Sequence, residues 1–205
     1  MARGKTANRR ASIAARSDAR RGESRFHGVR AATLAGVGSL SLRLATTADA
    51  EQVRAIYNHE VMHTTATFDL VPRSLPEQAA WLAARTGAFA AVVAVDPTDP
   101  DGEVVGFGAL SPYKERAAYR TSVEDSVYVR RDRNGQGIGS LILGELLDIA
   151  AGSGFHAVFA RINATGESSI ALHRKLGFDV VGVEREVGRK FSRWHDVVLM
   201  QHLIS

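Results

Sequence analysis

The 205-residue sequence contains no cysteine. That excludes disulfide staples and any thiolate nucleophile, and it leaves the redox character of the compartment open. No apolar run reaches the roughly 20 residues that cross a bilayer as a helix, so no membrane-spanning segment is expected. Acidic and aromatic residues are scarce at the N-terminus. Residues 1–40 hold nine Arg and Lys against Asp18 and Glu23, with Phe26 as the one aromatic. Residues 41–205 carry 17 basic and 20 acidic side chains. The overall charge of +4 therefore belongs to the tail, and the rest of the chain has no basic excess that suggests nucleic-acid binding. So little apolar surface cannot offset the entropy of ordering, which predicts a basic, disordered extension over 1–40 and a folded domain over 41–205. An Arg- and Ser-rich, acid-poor start also resembles an organelle transit peptide. A start codon set too far upstream and a basic arm that touches nucleic acid are the other readings. The cytoplasm is the expected location.

What is present is ordinary for a globular domain, with 45% hydrophobic and 23% charged residues. Leu42-Arg43-Leu44 alternates as a strand. Thr46 or Thr47 caps a helix whose Ala50, Val53, Ile56 and Tyr57 recur at helical spacing. Ser74-Leu75-Pro76-Glu77 is a capping box that opens a second helix, through Trp81 to Arg85. Phe89–Val95 and Val104–Leu110 form a hairpin across the turn residues Asp96 to Gly102. A strand over Thr121–Val129 feeds a helix over Gly137–Ala151, with Leu141, Leu143, Leu146, Leu147 and Ala150 as its apolar face. A strand (158–162), a helix (168–176) stopped by Gly177, and strands over 180–186 and 194–203 complete the chain. The predicted order is β-α-α-β-β-β-α-β-α-β-β, a single α/β domain with a mixed sheet flanked by helices.

The most informative segment leaves the third long strand at Val127-Tyr128-Val129. It passes Arg130-Arg131-Asp132-Arg133 and enters a helix through Asn134-Gly135-Gln136-Gly137-Ile138-Gly139-Ser140. Backbone N–H groups in such a loop, with the positive end of a helix behind them, suit a pyrophosphate. Two other phosphate motifs fail. G-x-x-x-x-G-K-[ST] is absent, and G-x-G-x-x-G breaks at Ser140 or Ile142.

This loop resembles the pyrophosphate-binding motif of the GNAT acetyltransferases, with Asn134 at a position where Arg or Gln is usual. The resemblance covers about residues 41–203, and Ser122 to Val129 and Trp194-His195-Asp196-Val197 place it in the phosphinothricin acetyltransferase branch. It implies the GNAT acyl-CoA N-acyltransferase fold and acetyl-CoA bound between two central parallel strands, with no metal. Val127, Tyr128, Val129, the loop from Asn134 to Ser140, Asn163 and Ser169 are then cofactor-binding residues. It also implies direct acetyl transfer to a small-molecule amine, a homodimer, and acceptors of the phosphinothricin, methionine sulfone or methionine sulfoximine class.

Acetyl transfer from a thioester to an amine needs a base and stabilisation of the developing oxyanion. Alternation puts Ser122, Glu124, Ser126 and Tyr128 on one face of their strand, with Asp125 on the other. Glu124 is the expected base, as in the branch it resembles, and His173 the candidate acid. Tyr113, Lys114, Arg116 and Tyr119 gather cations and aromatics in a short loop that resembles the branch's acceptor pocket, where Lys114 and Arg116 could pair with an anionic group. Thr65 and Phe68 resemble the segment that covers the acceptor. His59-Glu60-Val61-Met62-His63 matches the zinc-protease pattern H-E-x-x-H, but no third ligand follows it. The rival expectations are a protein or peptide N-acetyltransferase and a non-catalytic CoA- or nucleic-acid-binding module.

Overall fold

The structure is a computed structural model that describes residues 30–34, 38–98 and 102–204. Most of the expected extension (residues 1–29 and 35–37) and the tip of the expected turn at 99–101 lie outside the described residues. Where the extension is described, the expected boundary at residue 41 moves. Strand β1 (Arg30–Leu34) pairs antiparallel with β2 (Gly38–Leu44), from Arg30↔Leu42 to Leu34↔Gly38. The edge of β2 offers a full row of backbone donors and acceptors, and such an edge recruits a neighbour through main-chain bonds even when side chains contribute little.

Leu40 and Leu42 of β2 are buried, as the alternation requires. Asp49 then accepts from the Thr46 backbone N–H (2.7 Å) and Thr46 Oγ1 (3.1 Å) ahead of helix α1 (Ala50–His63). In α2 (Leu75–Ala83), Glu77 accepts from the Ser74 N–H at 2.7 Å, and Ser74 Oγ accepts from the Glu77 N–H at 3.4 Å. Such a cap stabilises a helix start by about 1 kcal/mol. The helix stops at Ala83, so Arg85 lies just beyond its end and is free to reach sideways.

Strands β3 (Ala91–Asp96) and β4 (Glu103–Pro112) form the expected hairpin. Next come β5 (Ser122–Val129), α3 (Ile138–Gly152), β6 (Ala157–Asn163), α4 (Glu167–Lys175), β7 (Asp179–Lys190) and β8 (Arg193–Leu203). The eight strands of the described residues join one sheet in the order β1-β2-β3-β4-β5-β6-β8-β7. The buried stripe of α3 is Ile138, Ile142, Leu143, Leu146, Ile149 and Ala150, with Leu141 and Leu147 at its margins. The expected stripe was therefore centred about one position away. Gly108 of β4 lets α3 lie close, because a Cβ there would meet Ile142 Cγ2 at 2.5 Å.

Each neighbouring pair in the sheet is antiparallel except β5 and β6. Their parallel register covers three pairs: Ser122↔Ala157, Val123↔Val158 and Glu124↔Phe159. Beyond Glu124, β5 stays paired with β4 up to Val129, and β6 stays paired with β8 up to Asn163. The two central strands part at that point.

Candidate active site

The parting exposes main chain. The Thr121 carbonyl accepts from the His156 N–H at 2.8 Å on the β6 side, whereas the Ser122 carbonyl accepts from the Tyr113 N–H at 3.4 Å on the β4 side. Alternation then aims the N–H groups of Val127 and Val129 toward β6, into the gap. Buried donors without partners are costly, so this gap suits a polar, extended ligand. At its far wall Asn163 is buried. Its Oδ1 accepts from the N–H (2.9 Å) and Oγ1 (2.6 Å) of Thr165, while its Nδ2 has no partner among the described residues.

The loop beyond β5 has a backbone geometry that suits an anion. Gly135 and Gly137 have φ of 76° and 83°, in the left-handed region that other residues avoid. A Cβ at Gly135 would meet nothing within 4 Å, so its surroundings are open. Gly137 is the N-cap of α3 and supplies no side chain to satisfy the first N–H groups of that helix. Arg133 braces the loop, donating to Asp96 (2.9 Å) and to the Gln136 side chain (3.0 Å). The Gln136 amide oxygen is thus engaged in the loop itself. Gly139 serves packing: a Cβ there would sit 3.1 Å from Leu172 of α4. These observations fit the pyrophosphate and pantetheine of acetyl-CoA, held chiefly by main-chain donors.

Glu124, on the last pair before the strands part, faces a cavity of about 200 Å³. Tyr57, Trp81, Phe107 and Tyr128 supply its aromatic walls. Burial, the largest influence, raises the Glu124 pKa above its ordinary value; the charges of Asp125 and Glu184 act in the same direction, and Arg161 opposes them. Tyr57 donates to Asp69 at 2.5 Å and lies 3.1 Å from Thr67 Oγ1, and its pKa is pushed up to about 12, mainly by burial. Burial also raises Tyr128.

Asp125 lies on the opposite face, as alternation predicts, and there it meets His173. The two are 48 residues apart in sequence, and their side chains are almost wholly buried. His173 does not line the Glu124 cavity, whereas Asp125 does, and Asp125 Oδ1 is buried without a partner among the described residues. Ser169 supports this pair through its carbonyl, which receives His173 Nδ1 at 2.7 Å.

The expected acceptor loop lies outside the cavity. Tyr113 stacks on Phe159 of β6 with centroids 3.9 Å apart, and Tyr119 meets Tyr113 edge-on at 6.0 Å. Lys114 rests over both tyrosine rings, and Arg116 is exposed. Thr65 and Phe68 are also absent from the cavity lining. Phe68 instead packs on Gly188 of β7, where a Cβ would collide with its ring. Nearby, Lys190 is buried and donates to the Thr67 carbonyl at 2.7 Å. Glu60 of the H-E-x-x-H stretch receives two bonds from Arg131, at 2.9 and 2.7 Å, and one from Thr64 Oγ1 at 2.6 Å. Its carboxylate is committed to holding the loop beyond β5 against α1.

Arg73 and Arg85 were not expected at the site, yet both line the Glu124 cavity. Arg73 lies in the loop after α1, with its guanidinium 3.9 Å from the Tyr57 ring centre. Arg85 lies just past α2, 3.8 Å from the Trp81 ring centre. The one hint in the sequence is their placement on either side of a capped helix that carries Trp81.

Comparison with known proteins is consistent with this geometry. A family model described as an acetyltransferase (GNAT) domain matches residues 42–199. An L-methionine sulfoximine/L-methionine sulfone acetyltransferase of Pseudomonas paraeruginosa is 38% identical over 163 residues, 80% of this chain and 94% of that protein. The crystal structure of a GNAT superfamily phosphinothricin acetyltransferase from Sinorhizobium meliloti in complex with acetyl-CoA is 37% identical, with a TM-score of 0.76 over 81% of this chain and 89% of that one. That of a ribosomal-protein-alanine N-acetyltransferase from Brucella melitensis is 37% identical, with a TM-score of 0.75 over 80% and 99%.

Proposed function

The chain belongs to the GNAT acetyltransferase family, and from that premise we propose that it acetylates the amine of a small amino acid analogue, of the phosphinothricin or methionine sulfone and sulfoximine class, with Glu124 as general base. The co-substrate is acetyl-CoA. The observation that carries the reading is the position of Glu124: a carboxylate with a raised pKa, facing an aromatic-walled cavity at the point where β5 and β6 separate.

The loop from Asn134 to Ser140 would hold the pyrophosphate, and Val127, Val129 and Asn163 the arm beyond it. When bound, acetyl-CoA supplies the thioester carbon that the amine attacks. Glu124 accepts the proton that an ammonium must lose before it can attack. A raised pKa brings the carboxylate closer to that task, because proton transfer is most efficient when the base titrates near the working pH. The Val127 and Val129 N–H groups lie on the side of the gap where a developing oxyanion can be met. His173 acts through Asp125, whose carboxylate it holds in place on β5 by the bond from Nε2.

The same reading includes a homodimer and a cytoplasmic setting. In support of the dimer, β7 leaves Val181, Val183 and Val187 about half exposed, and Trp194 of β8 is 60% exposed. A second copy would cover that apolar face. No helix among the described residues is long and apolar enough to cross a membrane.

The test is CoA release from acetyl-CoA with a panel of amino acid analogues, polyamines and peptides, in wild type and Glu124→Gln. Turnover of the analogues that collapses in the variant supports the proposal. The Brucella relative favours a second reading, acetylation of a protein N-terminus, and turnover of peptides alone would establish that instead.

A further inference from the structure

Arg130, Arg131 and Arg133 follow β5 within four residues, and each reaches a carboxylate on a different element. Arg130 donates to Glu103 at the start of β4 and, from Nε and Nη2, to Asp132 at 2.7 and 2.9 Å. Arg131 donates from Nε and Nη2 to Glu60, in the last turn of α1, at 2.9 and 2.7 Å. Arg133 donates to Asp96, at the end of β3, at 2.9 Å. Paired bonds from one guanidinium to one carboxylate fix direction as well as distance. Glu60 and Asp96 are buried, so neither acid is a solvated surface charge. Glu60 is itself held, because Thr64 Oγ1 donates to its carboxylate at 2.6 Å.

Packing alone does not seat this stretch. A cavity of about 390 Å³ adjoins Arg130, Arg131 and Asp132, with Ala55 and Ile56 of α1 and Val104 and Val129 of the sheet as its apolar lining. Next in the chain come Gly135 and Gly137, and glycine loses more backbone freedom on ordering than any other residue. A phosphate site made of main-chain N–H groups binds well only when those groups are already in place. We infer that Glu60 is a positioning residue for acetyl-CoA: with Glu103 and Asp96 it tethers the three arginines, and that tether sets the loop that receives the pyrophosphate. The guanidiniums then hold the loop and are not the phosphate's partners. This rests on acetyl-CoA as the co-substrate. It gives the acid of the H-E-x-x-H stretch a role that involves no metal, and it assigns the basic residues after β5 to the fold of the loop instead of to its ligand.

The experiment is titration calorimetry with CoA alone on wild type, Glu60→Gln, Arg131→Gln and the double variant. The two roles for the guanidinium predict opposite signs. If Arg131 bound phosphate, its carboxylate would compete with the ligand, and Glu60→Gln would tighten CoA. A tether gives the reverse: Glu60→Gln should raise the Kd by roughly tenfold, the lower end of what losing an outer supporting contact costs a metal site. Arg131→Gln should raise it by a similar factor, and the double variant by no more than the worse single, because both remove one contact. In steady-state kinetics the loss should fall on KM for acetyl-CoA and spare kcat at saturation, as removal of uniform binding does. If Arg131→Gln, which leaves a buried carboxylate without its cation, does not fold, Glu103→Gln takes its place. The Glu103 side chain is 39% exposed and Arg130 keeps Asp132, so the fold should survive while CoA again weakens. Unchanged or tighter CoA binding by Glu60→Gln overturns the inference, as does a double variant whose loss is the product of the two singles. Wild type that binds CoA and acetylates no amine defeats the acetyl-transfer reading alone, since the titration contains no acceptor.

Discussion

His173 Nε2 lies 3.1 Å from Asp125 Oδ2, and the opposite ring nitrogen lies 2.7 Å from the Ser169 carbonyl. Both neighbours are acceptors, so the arrangement favours a ring that carries two protons. Burial works against that charge, yet the hydrogen bond to Asp125, its negative charge and the Ser169 carbonyl together raise the His173 pKa.

A histidine whose pKa is raised on folding adds stability that is fully present below its unfolded value, about 6.5, and is lost as pH rises through the folded value. Asp125→Asn should therefore be most destabilising between about pH 5 and 6.5, by about 3 kcal/mol for a buried pair, and less so as the pH climbs. Urea unfolding of both proteins across pH 5–9 checks this; a difference that grows with pH would refute the pairing. An imidazole titration by NMR should show the His173 pKa falling in the variant.

Glu124→Gln should lower kcat by about 10²–10⁴-fold, the usual contribution of a positioned base. Stability should move the other way. Because burial raises the pKa of Glu124, its ionised form opposes folding at neutral pH, and the neutral amide removes that penalty. A melting temperature at pH 8 that is equal to or above wild type, together with lost activity, is the expected pair of results.

Gly188→Ala should cost about 1–3 kcal/mol, because the new methyl occupies the place of the Phe68 ring, and should leave the acceptor KM unchanged, because Phe68 does not line the cavity. Gly182→Ala in the same strand is the control, since a Cβ there meets nothing within 4 Å. Thermal melts and acceptor kinetics on the two variants separate a packing effect from a general effect on the hairpin.

Gly135→Ala should weaken acetyl-CoA binding by about tenfold while costing only about 1–2 kcal/mol of stability, the strain of a left-handed alanine. Its methyl would project into the open space in front of the loop. Titration calorimetry with CoA distinguishes this from loss of the fold.

Much of this was legible from local pattern. The capping box at Ser74 and Glu77, the strand–loop–helix around Gly137 and the opposite faces of Glu124 and Asp125 each follow from a few adjacent residues. What escaped depends on distance in the chain. Asp125 meets His173 across 48 positions, and no periodicity reports that. Arg73 and Arg85 converge only because α2 is short and stops at Ala83. Strand β1 escaped because main-chain pairing with an edge leaves little trace in side-chain composition. The cationic Lys114–Arg116 loop drew attention through its charge, although its aromatics stack away from the cavity.

The parting of β5 from β6 also divides the sheet into two plates. Strands β1 to β5 form one plate and β6, β8 and β7 another, and within the sheet three parallel pairs join them. Glu124 sits on the last stitch of that seam, so a small rotation of either plate would change its distance to everything across the gap. A ligand that bonds to both edges would act as a clasp, and amide hydrogen exchange along Val123–Val129 and Val158–Asn163 should slow together when it does.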